Sequence, residues 1–125
     1  RRTIARGRVL LAGDAAGFVD ACSGEGICYA LASGKNAGQV VGEVPAAEVA
    51  QAYAKKCRKD FGEELQYALF FAKLMHSFPE MFLRLLAGQE EVLDRYIEIP
   101  AARRSYKDFM RWLAPRLPLS LLRAL

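Results

Sequence analysis

The sequence predicts a mainly α chain, with one or two short strands leading into a helix-rich C-terminal segment. Three observations carry that prediction. Val9-Leu10-Leu11-Ala12 is a short apolar run of the length and β-branching of a buried, parallel-type strand, and it stops at Gly13-Asp14. From Pro45 onward apolar residues recur at steps of three and four, the period of a helix packed on one side. Between these stretches fall Gly13, Gly17, Gly24, Gly26, Gly34 and Gly38, six of the ten glycines in 125 residues, which marks residues 13–38 as the place where backbone turns sharply or approaches something closely.

Taken in order, Arg1 to Gly7 read as a frayed lead-in or as the end of a hairpin whose partner strand is missing. The strand that follows would place the Asp14 carboxylate at its carboxyl edge, where open α/β sheets keep their ligands and where an acid can accept hydrogen bonds from hydroxyl groups. Ser23-Gly24-Glu25-Gly26-Ile27 then opens a helix, with Ser23 as its expected N-cap. The unpaired amides there, with the positive end of the helix dipole, attract electron-rich oxygens. This helix is expected from Glu25 to about Val41. Its small residues, Ala30, Ala32, Ser33, Gly34, Ala37 and Gly38, suit close packing on a sheet or a flat ligand.

Val44-Pro45 marks a boundary, because the residue before proline is pushed out of helical conformation and proline suits a helix start. A long helix follows, with Val49, Tyr53, Cys57, Phe61, Leu65, Ala68, Leu69, Ala72 and Met75 on one stripe and Gly62 as a bending point. Around Tyr67, Leu69, Phe70, Phe71 and Leu74 the stripe widens until the helix is apolar nearly all round. That widening fits either packing against a missing catalytic domain or the wall of a pocket for a long hydrocarbon substrate. His76, the lone histidine, has no metal-ligand companions and suits a helix C-terminus, where a cation is mildly favoured; a catalytic role is the other reading. Ser77 and Glu80 have capping-box spacing ahead of a helix from Pro79 to Ala87 that stops at Gly88. Another helix is expected from Gln89 to about Ile97, and Ser105 should cap a helix from Tyr106 to Leu113, with Asp108 reaching back. Ser120 to Leu125 would form a last turn.

Cys22, Cys28 and Cys57 are odd in number and lack a C-x-x-C spacing, so neither a zinc site nor a disulfide framework is expected, and reduced thiols point to a cytoplasmic setting. Cys22, near a helix N-terminus, is either a small structural residue or a thiol of lowered pKa. No secretory signal and no apolar run of eighteen residues is visible. In the tail, Arg103, Arg104, Lys107, Arg111, Arg116 and Arg123 face one acid, Asp108. That pattern fits either peripheral attachment to an anionic membrane surface or a solvated face with ordinary salt bridges. Nucleic acid is not an expected partner: the net charge is only +4 and no reader motif is present.

Gly13-Asp14-Ala15-Ala16-Gly17, with Val19-Asp20 and Ser23-Gly24-Glu25-Gly26-Ile27, resembles the second FAD-binding motif of flavoproteins of the para-hydroxybenzoate hydroxylase type. Within that group it is most similar to the geranylgeranyl reductase family, which usually reads GDAAGFVDPxTGEGI. The clear match covers about a quarter of the chain, and Ser-Tyr-Lys-Asp and Trp-Leu patterns near the C-terminus are also similar. The resemblance implies that Asp14 binds the ribityl chain of FAD and that the backbone from Gly24 through Glu25 and Gly26 to Ile27 lies beside the pyrimidine end of the isoalloxazine. Gly13, Ala15 and Gly17 would belong to the same cofactor site, and Gly17 and Asp20 would shape the loop.

The chain departs from the family in two ways. Ala21-Cys22 stands where the family usually has proline after the aspartate, and no G-x-G-x-x-G occurs in the 125 residues. The expectation is therefore the C-terminal segment of a larger α/β FAD-binding fold whose N-terminal Rossmann unit is absent. Residues 1–44 would be the second half of the FAD-binding domain and 45–125 a helical C-terminal region. The apolar content of 53% calls for a cover, supplied by the missing N-terminal region or by a second copy of the chain. By resemblance the whole enzyme would reduce carbon–carbon double bonds of a polyprenyl chain on a chlorophyll-type or lipid molecule, with NADPH or another reductant as electron donor. The segment on its own would be inactive, and no catalytic residue is identified in it. The alternatives are a segment of an FAD monooxygenase or halogenase, or an inactive helical interaction or membrane-surface module.

Overall fold

A computed structural model describes residues 3–101 and 103–117. The described chain is mainly helical, with two short antiparallel strands at its start, and divides into two compact units, Arg1–Gln66 and Tyr67–Leu125.

The first unit opens with β1 (Ala5–Arg6) and β2 (Val9–Leu10), paired in register Ala5 with Leu10 and Arg6 with Val9. This corrects the expectation of a buried parallel-type strand over residues 9–12 and of a missing hairpin partner. Gly7, with φ +58°, opens a two-residue loop that folds the lead-in back on Val9 and Leu10, and Val9 remains 63% exposed. Gly13–Ala16 forms a single 3₁₀ turn closed by Gly17 in the left-handed region.

Helix α1 (Ile27–Glu43) starts two residues later than expected, and its N-cap is Gly26, not Ser23. The Ser23 hydroxyl instead accepts from the Glu25 amide at 3.2 Å. The Glu25 carboxylate accepts from the Cys28 N–H at 2.9 Å, so an acid satisfies a free amide in the first helical turn.

Helix α2 (Val49–Cys57) follows the Val44–Pro45 break, which lies inside the first unit. Val49, Tyr53, Cys57 and the following Phe61 pack with Val40 of α1 into a common core. Arg58–Gly62 winds as a π-helical turn before α3 (Glu63–Ser77). The expected bend at Gly62 thus appears as an extra residue in the helical ladder. The wider turn accompanies a hydrogen bond from Asn36 Nδ2 to Asp60 Oδ2 at 3.0 Å, while Phe61 stacks edge-on against Phe18 with centroids 4.9 Å apart.

The second unit comprises α3 from Tyr67, α4 (Pro79–Gly88), α5 (Glu90–Ile97), α6 (Tyr106–Leu113) and a 3₁₀ turn at Ala114–Arg116. Phe71 is its hub: its ring lies 5.4 Å from Phe82, 5.9 Å from Tyr96, 6.0 Å from Tyr106 and 5.4 Å from Phe109. Of the widened stripe, Phe71, Ala72 and Leu74 are buried by this chain's own residues, while Leu69 and Phe70 stay exposed.

Ser105 caps α6 as expected, accepting from the Asp108 amide at 3.1 Å and donating to its carboxylate at 2.8 Å. The capping box expected at Ser77 and Glu80 does not form: Phe78 is the N-cap of α4 and no side chain caps it, with Pro79 supplying the fixed φ of the first turn. In the basic stretch, Arg104 pairs with Glu98 at 2.8 Å, and the guanidinium groups of Arg95 and Arg116 lie 4.3 and 4.1 Å from the Trp112 ring centre. The salt-bridge reading is met at Arg104, whereas Arg103 and Arg111 are solvent-facing. Arg123 and the expected turn from Ser120 to Leu125 lie outside the described residues, as do Arg1 and Arg2.

Candidate functional site

The 3₁₀ turn at Gly13–Ala16 and the entry to α1 meet across a cleft of about 420 Å³ lined by Ala12, Gly13, Asp14, Gly24, Gly26, Ile27 and Ala30. Two glycines permit this approach. Gly13 sits at φ +54°, and a Cβ added there would come within 2.9 Å of the Ala30 Cβ. A Cβ on Gly26 would lie 2.7 Å from Asp14 Oδ1 and 3.8 Å from the Val19 side chain. The first contact seats the turn on α1, and the second keeps the Asp14 carboxylate against the bare backbone of the helix entry.

Of the residues expected at a cofactor site, Gly13, Asp14, Gly24, Gly26 and Ile27 line this cleft. Ala15 is exposed on the 3₁₀ turn and Gly17 closes it, so they shape the turn. Glu25 turns its carboxylate to the Cys28 amide, leaving its main chain to the loop.

The loop from Phe18 to Glu25 is organised by Asp20, which is only 6% exposed. Its carboxylate accepts from the amides of Cys22 at 2.7 Å and Ser23 at 2.9 Å. Its own N–H donates to Glu25 O, and its C=O accepts from Gly24 N–H. An aspartate so used replaces the constraint that a proline after it would impose.

Two contacts behind the cleft had no sequence signal beyond residue type. Ser33 Oγ accepts from the Gly13 N–H at 2.9 Å and donates to Ala30 O at 3.0 Å, while Tyr53 donates its hydroxyl to Leu11 O at 2.6 Å. Both side chains are fully buried. A small residue on a helix and a tyrosine on an apolar stripe read as packing, and only the fold shows which backbone groups they meet.

Burial, then the neighbouring Cys57, pushes the Tyr53 hydroxyl up to about 12, so it remains a donor throughout the neutral range. Burial likewise pushes the Cys57 thiol up, against a hydrogen bond from Asn36 Nδ2 at 3.8 Å. Both groups favour the protonated fold, so their stabilisation is intact below their unfolded values of 9.0 and 10.0 and is lost as pH rises. We expect urea unfolding of the first unit, followed by circular dichroism, to show a loss of about 2 kcal/mol between pH 9 and pH 12. In Tyr53→Phe the part of that loss above pH 10 should shrink, leaving what Cys57 and the likewise raised hydroxyl of Tyr29 contribute.

His76 Nδ1 lies 2.7 Å from Ala72 O, a contact within its own helix, and borders an apolar groove of about 410 Å³ with Met75, Pro79, Phe82, Leu83 and Leu86. Cys22 is half-buried and Cys28 exposed. Among the described residues no cluster of His, Cys, Asp or Glu is arranged to hold a metal ion, and no helix is long and apolar enough to cross a membrane. No protein-family model, curated protein or solved structure matches this chain.

Proposed function

We propose that the cleft is one half of a flavin site, belonging to an FAD-dependent oxidoreductase similar to the geranylgeranyl reductases. The observation that carries this reading is the convergence of Asp14 with the Gly24–Ile27 backbone on one open cleft, from two stretches ten residues apart in sequence. A carboxylate suits the hydroxyls of a ribityl chain, and the Gly26 and Ile27 amides at the helix entry suit the carbonyl oxygens and developing negative charge at the pyrimidine end of an isoalloxazine, those of Gly24 and Glu25 being held within the loop by Asp20 O and Ser23 Oγ. Gly26, with no side chain, lets the Asp14 carboxylate lie directly against the helix entry, so that both groups face the same ligand.

FAD, when bound, supplies the hydride chemistry. The chain's own part is to bind and orient the ring: Asp14 accepts ligand hydrogen bonds, Gly24 to Ile27 present backbone, and Asp20 holds the loop between them. The adenine-dinucleotide cradle is not encoded by a glycine-rich motif in these residues and would be supplied by a separate N-terminal region. The outward face of α1 supports such a partner, since Ile27 and Leu31 are 73% and 71% exposed. The substrate proposed by similarity is a polyprenyl chain whose double bonds are reduced, with NADPH or another reductant as the electron source.

FMN, which carries the isoalloxazine and ribityl groups without the adenosine, is the direct probe of this half-site. Asp14→Ala should weaken FMN binding, read by fluorescence quenching, about thirtyfold, the loss of about 2 kcal/mol expected for hydrogen bonds to a charged group. Equal affinity in the two proteins would contradict the assignment of Asp14.

A further inference from the structure

We propose that Ser33 and Tyr53 are positioning residues for the cleft, fixing the Asp14 carboxylate through the main chain; this rests on the flavin reading of the cleft. Leu11 C=O and Gly13 N–H flank a single residue, Ala12, just ahead of Asp14. Each is held by a hydroxyl from a different helix: Tyr53 of α2 donates to Leu11 O at 2.6 Å, and Ser33 of α1 accepts from Gly13 N at 2.9 Å.

The Ser33 proton is committed to Ala30 O at 3.0 Å, so a lone pair is left for Gly13. Gly13 is itself buried, and without Ser33 its N–H would lose that acceptor. Both hydroxyls are completely buried, Tyr53 within the apolar cluster of Val40, Val49, Cys57 and Phe61. Polar groups in such a place are costly unless they are bonded, and each of these two makes one of its bonds to the main chain of the turn, Ser33 bonding its own helix at Ala30 O as well. Neither side chain lines the cleft, so neither is placed to touch a ligand. Their effect on binding must pass through the direction in which residues 11–13 deliver Asp14.

A double-mutant cycle reads this out. FMN dissociation constants are measured by fluorescence quenching for the wild-type chain, Ser33→Ala, Tyr53→Phe, Asp14→Ala and the pairs of each hydroxyl variant with Asp14→Ala. Unfolding curves are recorded for all of them. We expect Ser33→Ala and Tyr53→Phe each to weaken FMN about tenfold, the loss of one buried hydrogen bond to the turn. On the Asp14→Ala background either change should add less than twofold, because the group it positions is gone.

Unchanged affinity in both hydroxyl variants, with Asp14→Ala still weakened, would overturn the positioning role and leave the flavin reading standing. Losses that multiply in the double variants would overturn it too, since a general loosening of the fold does not depend on Asp14. If Ser33→Ala does not fold, the Tyr53→Phe arm decides by the same criterion. A wild-type chain that takes up no FMN would remove both the flavin reading and this role.

Discussion

Phe71→Ala should unfold the second unit, Tyr67–Leu125, at room temperature. The ring is 1% exposed and touches four other aromatic rings, so its removal loses burial, edge-to-face contacts and the packing of its partners together. Truncating such a residue costs about 3–5 kcal/mol, comparable to the whole stability of a small helical unit. Loss of the near-ultraviolet dichroism of Trp112 and of amide protection in residues 67–117 would report it. Phe70→Ala, one position along, removes the same side chain from a site that is 41% exposed and should cost no more than about 1 kcal/mol. Equal destabilisation by the two would contradict the assignment of Phe71 to the core and Phe70 to the surface.

Gly26→Ala separates binding from folding at the cleft. The added Cβ would lie 2.7 Å from Asp14 Oδ1, and the atom it meets is the end of a side chain that can rotate away. The backbone of Gly26, at φ −128°, accepts an L residue without strain, so the fold should lose less than about 1 kcal/mol. The cost falls on the site, where the methyl both displaces the carboxylate and intrudes between it and the helix entry. FMN affinity should drop about a hundredfold, or about 3 kcal/mol. Gly13→Ala makes the opposite case: φ +54° and the Ala30 Cβ at 2.9 Å place its cost in the fold itself.

The helical segments were legible in the sequence wherever periodicity and a cap coincided. Ser105 and Asp108 flank the start of α6 as their spacing requires, and Pro79 and Gly88 bound α4. The cap at Ser77 failed because residue spacing does not say whether a hydroxyl can reach the helix. Val9–Ala12 misled for a different reason. A run of four apolar residues says that burial is available but not in which pairing, and here the Gly7 loop turns the lead-in back as an antiparallel partner.

At the cleft, glycine spacing located the two arms, while the contacts behind them were invisible. Ser33 and Gly13 are twenty residues apart, and Tyr53 and Leu11 forty-two, distances that no local pattern can connect. Asp20 was legible as a loop-shaping residue, though its particular partners, the Cys22 and Ser23 amides, follow only from the turn it makes.

The most direct test of the flavin reading is a titration of the isotopically labelled chain with FMN, followed by amide chemical shifts. Saturable changes are expected, confined to Gly13, Asp14 and the stretch from Gly24 to Ile27, with residues 67–117 unmoved and with the response lost in Gly26→Ala. A spectrum that FMN leaves unchanged, or shifts that gather elsewhere and persist in Gly26→Ala, would contradict that reading.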